Sequence, residues 1–277
     1  MPALRDNIRS ALDIARLVRE GVVTPSHITA ECLARIDATQ ATLNAYVTVC
    51  HAEAQRDAKA LNPAAQSQPL CGVPFSVKDN IETLGVRTTF GSKTLATNMT
   101  QTEGVAVKRL RAAGAVMVGK TTLPEFASSL LGESPLTGST RNPWNLELSP
   151  GGSSSGAAAA VAAGLGPIAL TTDAGASTRV PAALCGVLGI KPSIGLIPYE
   201  LFPDGFGNFI HMGLITRTVA DMAAALDVVS GEDPRDPLSI GIAPTRALAK
   251  LAEPLALERS RIAWRPLLGN AALDDEV

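Results

Sequence analysis

The sequence is poor in the residues that build metal centres. Its three histidines, His27, His51 and His211, stand apart from one another, and its four cysteines, Cys32, Cys50, Cys71 and Cys185, are scattered without CxxC spacing. No set of ligands at metal-binding spacing results, so a metal site is not expected. The cysteines fall in segments that read as helix or core strand, which implies free buried thiols in a reducing compartment. Charge is scarce as well: 18% of residues are charged, and 24 basic against 26 acidic residues leave a formal net charge of -2. That balance excludes a strongly basic surface for nucleic acid or an anionic membrane. Long apolar runs are missing too. The longest uncharged stretch, 148–172, is broken by Pro150, a run of serines and Pro167, and fails as a membrane span. Arg5, Asp6 and Arg9 mark the first ten residues, and no apolar signal core follows them. What remains is a 277-residue chain, 46% hydrophobic, long enough to bury a large core. A soluble cytoplasmic protein is the expectation.

The pattern of apolar residues predicts two opening helices. One spans 7–20, with Ile8, Leu12, Ala15 and Val18 at helical spacing and Gly21 as its stop. The other starts at an N-cap Thr24 with Pro25 in the first turn and runs to about Ile36. A short β-rich piece at 44–50 and a helix at 51–61 follow, and a Pro-, Ala- and Gln-rich loop covers 62–69. From Gly72 the texture becomes α/β. Strands are expected at 73–77, 115–118, 167–172, 187–190 and 260–264, and helices at 102–113, 156–163, 181–185 and 219–229. Strands alternating with helices predict an α/β fold: a mixed, largely parallel central sheet covered by helices on both faces. The expected division is an amino-terminal helical segment, 1–70, packed on a catalytic α/β core, 71–277.

Three segments carry chemistry. The run Ser149-Pro150-Gly151-Gly152-Ser153-Ser154-Ser155-Gly156 leads directly into an Ala-rich helix. Small residues let a backbone turn sharply and approach a substrate, and a helix N-terminus favours developing negative charge. The alternative is a flexible Gly/Ser linker, which would not normally lead into a buried helix and strand. The second segment, Thr172 to Pro181, joins a strand to a short helix. Its small residues can turn several backbone N–H groups towards one point, as an oxyanion hole requires. Asp173 and Arg179 flank it as an ion-pair clamp. The third, Gly72-Val73-Pro74-Phe75-Ser76-Val77-Lys78-Asp79-Asn80, ends an apolar strand in Lys78. Most lysines are surface residues. One sunk at the end of a core strand loses solvation, which lowers its pKa and makes it a usable general base.

Together these segments resemble the amidase-signature family. The resemblance rests on the glycine–serine run at 149–156, the block from Thr172 to Ala182, the tail from Cys185 to Ser193 and the segment from Gly72 to Asn80. Subsidiary matches are Ala113-Gly114-Ala115, Gly119-Lys120-Thr121, Pro124-Glu125-Phe126-Ala127 and Asn142-Pro143-Trp144. The resemblance implies an amide hydrolase without a cofactor, acting on a small-molecule amide. Ser177 matches the nucleophile, Ser153 the bridging serine after a cis peptide at Gly152–Ser153, and Lys78 the base. The backbone N–H groups of Ala174, Gly175, Ala176 and Ser177 match the oxyanion donors, Ala127 a backbone contact to substrate, and Ser154 a supporting serine. No nucleic acid or membrane is implied as a direct partner, and a homodimer stays open.

Two substitutions depart from the family pattern: Ala176 stands for a glycine beside the nucleophile, and Ser155 for another. Family members also run to nearly twice this length, so a missing carboxy-terminal half and weak or absent activity of this chain are expected. Other readings are a truncated inactive remnant, an assembly or binding subunit, and the glutamine amidase subunit of a tRNA amidotransferase. The stretch 197–213 favours a stand-alone amidase over the last. Gly152-Ser153-Ser154-Ser155-Gly156 also fits G-x-S-x-G, an α/β-hydrolase elbow with Ser154 as nucleophile and Asp204 and His211 following. That motif needs a strand just before it, and 142–150 is Pro-rich and polar.

Overall fold

A computed structural model of the chain describes residues 9–64, 68–200, 209–253 and four positions beyond them, 258, 260, 261 and 263. In chain order the elements are α1 (Ala11–Arg19), α2 (Pro25–Leu43), β1 (Tyr46–Val49), α3 (His51–Ala60), β2 (Pro74–Lys78), α4 (Val105–Ala112), β3 (Val116–Thr121), β4 (Glu133–Ser134), β5 (Gly138–Ser139), α5 (Ser155–Ala162), β6 (Ile168–Asp173), α6 (Arg179–Leu184), β7 (Leu188–Ile190), β8 (His211–Thr216), α7 (Val219–Val229) and α8 (Ala247–Lys250). Of the expected 260–264 strand, residues 260, 261 and 263 are described and are not in a strand, while 262 and 264 lie outside the described residues.

Local chemistry sets the element ends. Ser10 caps α1 by accepting from the Asp13 N–H at 3.1 Å, and Thr24 caps α2 by accepting from the His27 N–H at 3.1 Å. The second helix was expected to stop near Ile36 but runs seven residues further, to Leu43. No breaker lies between, Thr39 returns its hydroxyl to the Arg35 carbonyl at 2.8 Å, and Leu43 is buried. Asn44 ends the helix at φ 51°, a conformation asparagine tolerates better than most residues. Conversely, α4 starts at Val105 rather than Thr102, with Gly104 at its N-cap.

The main sheet has the order β1-β3-β2-β6-β8-β7. Its centre, β3-β2-β6, is parallel, and antiparallel pairings flank it: β1 with β3, β6 with β8, and β8 with β7. Strand β8 was not expected from the sequence. Five of its six residues are buried, so it shows no alternation of apolar and polar positions.

Both faces of the sheet are covered. Phe75, Val77, Ile168, Leu170, Met212 and Leu214 share a core with Ile14 and Val18 of α1, Leu110 of α4 and Leu226 of α7. On the other face Val116 and Val118 pack with Ile36 of α2, Ala54 of α3 and Ala159 of α5, while Ala169 and Ile215 meet Ala157 and Ala182. Alternation along each strand sorts side chains between these two cores. The amino-terminal helices are part of both, and the Leu12 N–H reaches Asp221 on α7 at 3.2 Å.

Helix α5 sits very close to the sheet because its residues are small. A Cβ added at Gly156 would stand 2.2 Å from the Ala45 carbonyl oxygen and 2.4 Å from the Thr122 hydroxyl. In an open helix, Gly→Ala stabilises by about 1 kcal/mol. Here the sign reverses: Gly156→Ala is expected to destabilise the fold by at least about 2 kcal/mol, read as a lower urea midpoint at unchanged slope.

Candidate active site

The pleat of β2 decides where Lys78 goes. Phe75 and Val77 enter the α1/α4/α7 core, so Ser76 and Lys78 face α5. Lys78 is fully buried there. The turn leading into α5 brings Ser153, Ser154 and Ser155 against the same face, all fully buried, with a cis peptide at Gly152–Ser153. Lys78 Nζ lies 2.7 Å from Ser153 Oγ and 3.2 Å from the Thr172 carbonyl oxygen. Burial pulls the Lys78 pKa down to about 7, against a weaker upward pull from Asp173. Both partners are neutral oxygens, and among the described residues no carboxylate lies within hydrogen-bonding distance of Nζ, so nothing there offsets the cost of burying an ammonium; the neutral amine can donate to the Thr172 carbonyl and accept from the Ser153 hydroxyl through its lone pair.

Asp173 ends β6 fully buried and organises the loop to α6. Its carboxylate accepts from the Ala176 N–H at 2.8 Å, the Thr178 N–H at 3.1 Å, and Arg179 Nε and Nη2 at 2.9 Å each. Burial pushes the Asp173 carboxyl up, but the hydrogen bonds from Arg179 and the loop amides outweigh it and hold the group below its ordinary range. Inside the loop, Ser177 donates its hydroxyl to the Thr172 carbonyl at 3.0 Å, and its own carbonyl accepts from the Ser154 N–H at 2.9 Å. Lys78, Ser153 and Ser177 are thus brought together around Thr172. Among the described residues no hydrogen bond joins the Ser153 and Ser177 hydroxyls directly.

The four amides named as oxyanion donors divide. The Ala176 N–H is committed to Asp173, which corrects its expected place in the set. The amides of Ala174, Gly175 and Ser177 have no acceptor among the described residues. Ala176 adopts φ 71°, left-handed backbone that suits glycine and strains a residue with a Cβ. Ala127 lies in a turn where its N–H meets the Pro124 carbonyl at 2.9 Å. Both it, at φ 57°, and Phe126, at φ 51°, are left-handed.

Sequence reasoning assigned no role to Thr172, Asp79 or Lys120. The Thr172 carbonyl accepts from Lys78 Nζ and Ser177 Oγ, from Thr178 Oγ1 at 3.2 Å, and from Ser154 Oγ at 3.5 Å. A backbone oxygen leaves no mark in a residue pattern. Lys120 is a second fully buried lysine, 3.3 Å from the buried Asp79 carboxylate and donating to the Ile81 carbonyl and the Thr88 hydroxyl. The register of β2 against β3 shifts between Phe75 and Ser76, which pairs Val77 with Lys120 and places Lys120 on the face opposite Lys78. Its signal was an apolar strand ending in lysine, the same signal that marked Lys78.

The α/β-hydrolase reading fails on structure. Residues 142–154 form turns and bends with no strand ahead of Ser154. His211 opens β8 and holds the Phe209 carbonyl through Nδ1 at 3.1 Å, and Asp204 lies outside the described residues.

The sequence profile of the Amidase family matches residues 27–277. An acylamidase of Rhodococcus erythropolis is 42% identical over 97% of this chain and 57% of its own length. A glutamyl-tRNA(Gln) amidotransferase subunit of Deinococcus radiodurans is also 42% identical, over 95% of this chain and 54% of its own. Among solved structures, 6-aminohexanoate cyclic dimer hydrolase superposes with a TM-score of 0.83 at 35% identity, over 90% of this chain and 52% of that one. The chain therefore spans about half the length of the curated relatives it matches.

Two measurements follow from the site. Ala176→Gly relieves the left-handed strain and should stabilise the chain by about 1 kcal/mol, read as a higher urea midpoint. A midpoint that falls would mean that the methyl is held by packing. The second concerns pH. Folded Lys78 titrates near 7, below its ordinary 10.5, so between those values the unfolded chain binds more protons and wild-type stability rises with pH. Lys78→Met removes that contribution. Its stability advantage over wild type should shrink by about 1.4 kcal/mol per pH unit between about pH 8 and about pH 9.

Proposed function

The chain belongs to the Amidase family, and on that footing we propose that it carries the chemistry of an amide hydrolase working through an acyl-enzyme on Ser177. The observation that carries the reading is the setting of Lys78: a fully buried lysine with two neutral oxygens in reach and, among the described residues, no carboxylate in hydrogen-bonding contact suits the free amine. Neutral Lys78 Nζ takes the proton of Ser153 Oγ, and Ser153 takes the proton of Ser177 Oγ once Ser177 has rotated from the Thr172 carbonyl. Ser177 Oγ then bonds to the amide carbon. The oxyanion is held by the free N–H groups of Ala174, Gly175 and Ser177, each such donor being worth about 3 kcal/mol in the transition state. The relay returns a proton to the leaving nitrogen as the C–N bond breaks. Water, deprotonated by the same relay, cleaves the ester and releases the acid.

A small or cyclic carboxamide is the substrate class we favour, in keeping with the acylamidase and the cyclic dimer hydrolase among the similar proteins. A second reading, the glutamine amidase subunit of a tRNA amidotransferase, draws on the equal identity to the Deinococcus protein. Hydrolysis of acyl and cyclic amides against release of ammonia from glutamine separates the two. For compartment we propose the cytoplasm, which suits four free, buried cysteines. No helix of the described residues is long and apolar enough to cross a membrane.

A fluorophosphonate probe tests the chemistry without requiring walls for the acyl and leaving groups. The adduct should map to Ser177 by mass spectrometry, and Ser177→Ala should abolish it. Lys78→Ala should slow labelling by about 100-fold or more. The labelling rate should rise with pH and reach half its maximum near the Lys78 value of about 7. An adduct on Ser154, or a rate indifferent to Lys78, would overturn the assignment.

A further inference from the structure

At the end of the sheet away from the serines lies a small, half-open cavity of about 20 Å³ beside Pro74 and Pro167. These residues begin or precede β2 and β6, so the cavity is about 13 Å along β2 from Lys78. Arg9, Arg35 and Arg217 line it, with Glu31 as the carboxylate among its walls. The guanidiniums are held mainly by carbonyls. Arg35 Nε donates to Gly164 O at 3.2 Å, while Arg217 Nη1 donates to Val161 O at 3.1 Å and Gly166 O at 3.3 Å. Arg217 Nη2 donates to Arg9 O at 2.7 Å.

Carbonyl partners satisfy N–H groups without cancelling charge. Burial lowers the Arg217 pKa, Asp221 opposes that, and the positive charge of Arg35 lowers it again, so the charge of one cation is felt by the other. A plainer role accounts for part of this: Arg35 and Arg217 occupy carbonyls at and beyond the end of α5, where cations are favoured. That role leaves Arg9 unexplained. Its Nη1 is buried and has no hydrogen-bond partner among the described residues, and an unpaired buried donor on a charged group is costly.

We propose that this cavity binds a small oxyanion, of which inorganic phosphate is the simplest, between the guanidiniums of Arg9, Arg35 and Arg217. The anion supplies an acceptor for Arg9 Nη1 and relieves the repulsion between Arg35 and Arg217. The site is independent of the serine chemistry. The test is calorimetric titration of the whole chain with sodium phosphate at constant ionic strength, sodium chloride being the control. Saturable binding of one phosphate per chain, with a raised melting temperature, is expected. Arg9→Ala breaks no side-chain hydrogen bond among the described residues, so it should fold normally and bind at least about tenfold more weakly. Arg35→Gln, which also loses one positive charge, should weaken binding in the same direction. Phenyl phosphate in a parallel arm tells whether the site takes the free ion or one borne on an organic group. Phosphate no more effective than chloride, or both variants binding as the parent does, would overturn the proposal.

Discussion

The site depends on one constraint: a lysine placed where water cannot reach it and where, among the described residues, no carboxylate contacts it. Taking an ammonium out of water costs several kcal/mol, and a protein ordinarily avoids that cost by pairing the charge or by releasing the proton. At Lys78 the surroundings favour release. The Thr172 carbonyl and the Ser153 hydroxyl match the bonding pattern of an amine. Asp173, the nearest source of compensating charge, is committed to Arg179 and two loop amides. The clamp does two jobs at once: it shapes the loop bearing Ser177, and it engages a carboxylate that would otherwise favour the ammonium form.

Comparison of the two buried lysines shows how little separates an unpaired lysine from a paired one. One ends its strand and the other stands one residue from the end of its own, both in the centre of one sheet, and both lose their hydration. A single shift of register between β2 and β3 sends them to opposite faces. On its face Lys120 finds the Asp79 carboxylate, a threonine hydroxyl and carbonyls, which retain the charge and tie the strand ends to the loop beyond Ile81. On the other face Lys78 finds two neutral oxygens. The chemistry of each lysine is set by its neighbours across the sheet.

Most of the framework was legible in the sequence because it rests on local rules. Caps at Thr24 and stops at Gly21 and Gly114 are matters of backbone chemistry, and the alternation in β2 follows from a pleat of period two. The end of α2 was misjudged because 37–42 contains no breaker and only tertiary packing extends the helix. Strand β8 escaped because burial on both faces removes alternation. At the site, the sequence pointed to side chains that the fold brings together, but it was blind to the main chain. Nothing in the letters distinguishes the Ala176 amide, which is engaged, from the Gly175 amide beside it, which has no acceptor among the described residues. The Thr172 carbonyl was invisible for the same reason.

That carbonyl has a further consequence for motion. Its oxygen carries two lone pairs, and at least four donors stand within 3.5 Å of it. The donors outnumber the places available, so they take turns. When the Ser177 hydroxyl rotates away towards Ser153, Thr178 and Lys78 still occupy the oxygen. No buried acceptor is stranded, and the expense that usually resists rotating a buried hydroxyl is absent. A crowded acceptor therefore acts as a bearing. It holds the Ser177 hydroxyl in place at rest and makes turning it inexpensive.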